Sequence, residues 1–140
     1  MSEEFYVSSD KELLDQEFII REIQASYWGG DQSKATILKA IDHSICFGLY
    51  RRKEGKELRD VQVGFARIIT DYATVAWLCD VLIMNCYQKM GLGRMLVQTV
   101  LKHPEVQPRN VMLFTATAQR FYEKLGFKRF EGMKMATEGR

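Results

Sequence analysis

The apolar run Ala76 to Met84 leads into Gln88-Lys89-Met90-Gly91-Leu92-Gly93-Arg94, and an amphipathic stretch, Arg94 to Lys102, follows at once. Two glycines so close at a strand-to-helix junction free the backbone for conformations a Cβ forbids, so that several N–H groups can point into one concavity. The helix beyond adds its own unpaired N–H groups and the positive end of its dipole. The junction reads either as a cradle for phosphate or as a tight turn. Val111 to Ala116 reads as the next strand. Strand, glycine loop, helix and strand make a βαβ unit, in which the strands holding Leu82 and Leu113 run parallel.

Upstream, Phe5-Tyr6-Val7 reads as a short strand, and Ser8-Ser9-Asp10 offers turn and capping chemistry before a helix that starts near Leu13. In that helix Leu14 and Phe18, then Ile19 and Ile23, stand four apart. Gly29-Gly30 ends it. Asp31 or Ser33 caps a second helix in which Ile37, Leu38 and Ile41 share a face, and which stops around Asp42-His43. Ile45, Phe47 and Leu49 alternate with Cys46, Gly48 and Tyr50, and Val63, Phe65 and Ile69 form a second alternating run. The charged segment Arg51 to Asp60 between them reads as the loop of an antiparallel hairpin. Leu92, Met95, Leu96 and Val100 hold helical spacing. Pro104 and Pro108 bracket a loop, Thr117 to Leu125 reads as a short helix closed by Gly126, and Phe127 to Phe130 as a last strand. A mixed sheet with helices on both faces follows.

The 140 residues, 46% hydrophobic and 27% charged, suit one domain spanning 1–140. A formal charge of +2, with no basic block longer than Arg51-Arg52-Lys53, gives no case for nucleic acid or an anionic membrane as partner. Cys46, Cys79 and Cys86 form no CxxC pair and suggest reduced thiols; no metal site is expected. Without a basic n-region at the start or an apolar segment of membrane-span length, a cytoplasmic protein is expected.

Gln88-Lys89-Met90-Gly91-Leu92-Gly93 matches the coenzyme A signature of the GNAT family of acetyl-coenzyme A-dependent N-acetyltransferases. The stretch Ala118-Gln119-Arg120-Phe121-Tyr122-Glu123-Lys124-Leu125-Gly126-Phe127 is similar to its second signature. Both occur in the family's order, with room between them for one helix and one strand. The hairpin Ile45 to Thr74 looks like that of small single-domain bacterial members, so that roughly residues 44 to 130 carry the resemblance. Thr115 stands where relatives often have Asn, Met84 to Tyr87 lacks their Pro, and Lys89 replaces a frequent Gly.

The resemblance implies an α+β GNAT fold. Its central sheet is mixed and mostly antiparallel, with a parallel pair at the coenzyme site and about four flanking helices. It also implies acetyl-coenzyme A as cosubstrate and direct transfer to a primary amine, of a small molecule or a peptide, within a ternary complex. Backbone N–H groups of Lys89, Met90, Gly91, Leu92, Gly93, Arg94 and Met95 would face the pyrophosphate, with Gln88 and Arg94 adding side-chain donors. Val81, Leu82 and Ile83 would pair with the pantetheine arm, and Ala118 would border the coenzyme.

Transfer to an amine needs a neutral nucleophile, oxyanion stabilisation and a proton for the departing thiolate. By the resemblance, Tyr122 is the phenol that protonates the sulfur; otherwise it is a core aromatic. Asp80, the one carboxylate inside the long apolar strand, is a candidate base or else a structural acid paired with Arg67. Asp71 and His43 can also be turn and helix-end residues, and no base is identifiable beside Cys86. Acceptor specificity falls to the N-terminal helices and the loops around Ala25 to Ser33 and Asp71-Tyr72, where Tyr27, Trp28 and Tyr72 either line an apolar acceptor pocket or cap the core. A non-catalytic acyl-coenzyme A-binding or regulatory module with the same fold is the rival reading. Monomer and homodimer are both open.

Overall fold

The computed structural model describes residues 4–106 and 110–136. One five-stranded sheet runs in chain order: β1 (Phe5–Ser8), β2 (Ile45–Arg51), β3 (Val61–Thr70), β4 (Val75–Ile83) and β5 (Asn110–Met112). The first four strands pair antiparallel and β4 pairs with β5 parallel, as the βαβ reading requires. Among the described residues four α-helices accompany them: α1 (Gln16–Ala25), α2 (Lys34–Asp42), α3 (Leu92–Lys102) and α4 (Gln119–Glu123).

Helices cover both faces. On one, Phe18, Ile19 and Ile23 of α1 and Ile37 and Ile41 of α2 bury against Cys46 and Phe65. On the other, Leu92, Leu96, Val97 and Val100 of α3 pack on Phe47, Leu49, Ala66, Ile68, Ala76 and Leu78. The spacing in α1 and α3 thus matches the faces they bury, and removal of these side chains from water is the main force holding helix to sheet.

The first helix begins later than Leu13. Asp10 caps a separate 3-10 turn, Lys11–Leu13; Leu14 is extended, and the Asp15 carboxylate accepts from the Phe18 N–H to start α1. Ser33, rather than Asp31, caps α2 by accepting from Thr36.

Two irregularities break the strand periods. Leu49 lies opposite Gly64 but Tyr50 opposite Gln62, so Val63 is an extra residue in β3 and packs on the face opposite Phe65. Phe65 pairs with Leu82 but Arg67 with Cys79, and Asp80, at φ 53°, forms a bulge in β4. This second bulge resets the alternation so that Val81 and Ile83 pack on the α3 side and Leu82 on the α1 side.

Downstream, the elements are shorter than expected. β5 holds three residues, α4 spans Gln119–Glu123, and Phe127 to Phe130 forms no strand. Gly126 at φ 101° turns the chain back, and the Phe127 N–H is spent on the Tyr122 carbonyl at 3.1 Å instead of on a ladder. Pro108 of the expected loop and residues 137–140 of the tail lie outside the described residues.

Candidate functional site

β4 and β5 share only the register Val75 to Trp77 against Asn110 to Met112. Past Trp77, β4 keeps β3 as its partner but, among the described residues, has none on the β5 side, which leaves strand-edge N–H and C=O groups facing a notch. An extended amide-bearing chain fits such an edge by adding as a strand.

The notch opens into a cleft of about 700 Å³. Val81, Leu82 and Ile83 of β4 line it. So do Gln88, Lys89, Gly91, Leu92, Gly93 and Arg94 of the loop and helix start, and Ala118, Phe121 and Tyr122 at α4. Glu22, Ala25 and Ser26 of α1 and its C-cap, together with Trp28, complete the wall with Asn85 and Tyr87. Most of the expected site residues therefore meet in one place. Met90 and Met95 do not line the cleft: Met90 is exposed and Met95 packs against the core.

The loop turns its backbone sharply ahead of α3. Lys89 and Gly91 both take positive φ, 66° and 79°, and a 3-10 turn, Asn85–Tyr87, precedes them. Gly91 is the N-cap of α3 and supplies no side chain to satisfy the helix start. The Met95 N–H bonds the Gly91 carbonyl, so the N–H groups ahead of it in the first turn have no intrahelical acceptor. The Gln88 amide is turned inward, donating to the Ile83 carbonyl at 2.9 Å and to Asn85 Oδ1 at 3.1 Å. It braces the loop and occupies one carbonyl of β4.

Tyr122 sits half-buried between Phe121 and Phe127, whose rings meet its own edge-on at 4.9 Å and 5.6 Å. Burial pushes its phenol up to about 12, so the hydroxyl stays protonated at neutral pH. Thr115 Oγ1 accepts from the Ala118 N–H at 2.9 Å and fixes the start of α4.

Asp80 does not line the cleft. Its Oδ2 accepts from Arg67 Nε at 2.9 Å, both side chains being nearly buried, and Arg67 also donates to Ser44 Oγ at 3.0 Å. Asp71 caps the β3–β4 turn by accepting from the Thr74 hydroxyl and from the N–H groups of Thr74, Ala73 and Val75, which holds its carboxyl well below the usual range. Tyr72 projects from that turn, 58% exposed, and is not part of the wall. His43 closes α2, and Cys86 is exposed in the 3-10 turn, outside the lining.

Glu22 was not legible as a site residue. The signal was its spacing, three before Ala25 and four before Ser26, which places all three on one side of the α1 end, beside the buried Ile19 and Ile23. Trp28 reaches the cleft because the chain folds back sharply: a Cβ on Gly29 would lie 2.8 Å from Ile23 Cγ2. Tyr27 Oη lies 3.5 Å from Thr117 Oγ1, so the segment after α1 reaches the residues just ahead of α4.

Comparison with known proteins agrees with this architecture. The model of the acetyltransferase (GNAT) domain matches residues 42–129. A protein of Gibberella zeae named "Putative acetyltransferase FG08082" is 34% identical over 150 aligned positions, which span 94% of this chain and 85% of that one. The crystal structure of a "putative acetyltransferase belonging to the gnat family" (xcc2953) from Xanthomonas campestris pv. campestris superposes with a TM-score of 0.85. It is 34% identical, and the match covers 96% of this chain and 94% of that one. Rv2747 from Mycobacterium tuberculosis, in complex with CoA and NLQ, shares the fold at a TM-score of 0.63 and 17% identity, over 95% of this chain and 77% of its own. Acetyl transfer to an amine is the general reaction of the matched family. A split parallel pair beside a glycine-capped helix, in a chain that the family model matches over most of its length, makes this protein a member of the GNAT acetyltransferase family.

Proposed function

We infer that the chain is an N-acetyltransferase whose cleft takes acetyl-coenzyme A and passes the acetyl group directly to a primary amine bound in the same cleft. One observation carries this: β4 parts from β5 beside the Gly91 cap of α3, and Tyr122 lines that same cleft.

The loop and the first turn of α3 supply backbone N–H groups and a favourable field for the pyrophosphate, with Lys89 and Arg94 as the cations of the wall. The free edge of β4 at Val81 to Ile83 receives the amide-bearing arm. This sets the thioester within the part of the cleft that Tyr122 borders. The neutral amine nitrogen attacks the thioester carbonyl carbon, the C–N bond forms and the C–S bond breaks. The Tyr122 hydroxyl donates its proton to the departing sulfur, and the surplus proton on the former amine restores the phenol. The departing thiolate, whose thiol has a pKa of about 8.5, is a weaker base than the Tyr122 phenolate, so that donation and restoration are coupled and no free phenolate accumulates. Asp80, held by Arg67, shapes the bulge that turns β4 into the cleft and is not the base in this reading.

Calorimetric titration with acetyl-coenzyme A, followed by thiol release over a panel of primary amines, tests the reading. Saturable binding with amine-dependent release is expected. Binding without release from any amine leaves the non-catalytic module.

A further inference from the structure

Charge in the cleft is segregated by element. The cations Lys89 and Arg94 come from the glycine loop and the start of α3, whereas Glu22 of α1 is the one carboxylate among the described residues that line it. Glu22 is partly buried, its side chain 27% exposed, and its ion pair is with the adjacent Arg21 at 3.7 Å. Arg21 is itself 60% exposed, with its guanidinium set 5.6 Å over the Phe18 ring. Among the described residues the Glu22 carboxylate thus has one long ion pair, with a solvated neighbour, and Glu22 is part of the cleft wall. Trp28 lines the same wall and offers an aromatic surface suited to an alkyl stem or a cation.

Resting on the acetyltransferase reading above, we propose that Glu22 and Trp28 form an acceptor subsite for a short aliphatic diamine. One ammonium stays charged against the Glu22 carboxylate while the other nitrogen, neutral, is acetylated near Tyr122. An acid in this wall repels amino acids that present a carboxylate there, so the subsite discriminates by charge. Tyr27, exposed and touching Thr117, is not among the residues that line the cleft and takes no part in the subsite.

The test compares diaminopropane, aminopropanol and β-alanine as acceptors for the wild type, Glu22→Gln and Glu22→Lys, with coenzyme A titrated calorimetrically into each to confirm an intact cleft. The wild type should prefer diaminopropane. Glu22→Gln should lower kcat/KM for diaminopropane by about 10- to 100-fold, mostly through KM, and change aminopropanol by less than about threefold. Glu22→Lys should turn the preference toward β-alanine. Turnover whose charge preference is untouched by either substitution overturns the subsite and leaves the acetyltransferase reading standing. A wild type that binds no coenzyme A overturns both.

Discussion

Arg67 Nε donates to Asp80 Oδ2 at 2.9 Å across the point where β4 bulges, and the bulge lies just past Trp77, the last residue of β4 that pairs with β5. A left-handed conformation at a residue with a Cβ is strained, and Asp tolerates it better than most because its short side chain finds a partner. Here the partner is a nearly buried guanidinium, which Ser44 also holds.

Asp80→Asn keeps the tolerance for positive φ and an oxygen acceptor but strips Arg67 of its counter-charge. Its expected cost is about 3 kcal/mol, read as a lower urea midpoint, with kcat per folded molecule within about threefold of wild type. Unchanged stability with a loss of about 100-fold in kcat would instead make Asp80 the base.

Tyr122→Phe preserves the packing between Phe121 and Phe127 and removes only the hydroxyl. The variant should bind acetyl-coenzyme A as the wild type does, while kcat falls by about 100-fold. Steady-state kinetics beside calorimetry separates the two effects.

The alkaline behaviour follows from the same residue. Burial raises the Tyr122 phenol from 10.0 to about 12, so the folded state favours the protonated form. Its contribution to stability is full below pH 10 and is lost as the pH climbs through about 12. The kcat profile should show no falling limb from a phenol near pH 10, and stability measured by denaturant between pH 10 and 12 should drop less in Tyr122→Phe than in wild type.

Gly29→Ala places a methyl 2.8 Å from Ile23 Cγ2 and must push the turn that carries Trp28. A stability loss of about 1–2 kcal/mol is expected from overpacking, together with a higher KM for the acceptor and an unchanged coenzyme affinity. A weaker coenzyme affinity with unaltered acceptor KM would place Trp28 on the wrong side of the reaction.

Much of this fold is written in local pattern. The apolar spacing of Leu92, Leu96 and Val100 predicts the buried face of α3, and the glycines at 91 and 93 mark the junction where β4 yields to it. The parallel pairing follows from the handed βαβ connection, which allows few alternatives. What escapes the pattern depends on tertiary partners. Val63 and Asp80 shift their strands by one residue, and an unbroken alternation wrongly places Val63 with Phe65. Phe127 to Phe130 has strand-like composition, but its first N–H is taken by Tyr122. Glu22 is a charged residue on a helix until the packing of Ile19 and Ile23 fixes which side of α1 meets the cleft.

The central claim is that the Gly91 loop and the free edge of β4 together hold acetyl-coenzyme A. Calorimetric titration of the wild type and of Gly91→Asp tests it most directly, because Asp at φ 79° brings both backbone strain and a negative charge to the anion cradle. Saturable binding by the wild type that the substitution abolishes, in a variant whose circular dichroism is unchanged, is the predicted result. Equal binding by both proteins, or none by the wild type at sub-millimolar ligand, would contradict it.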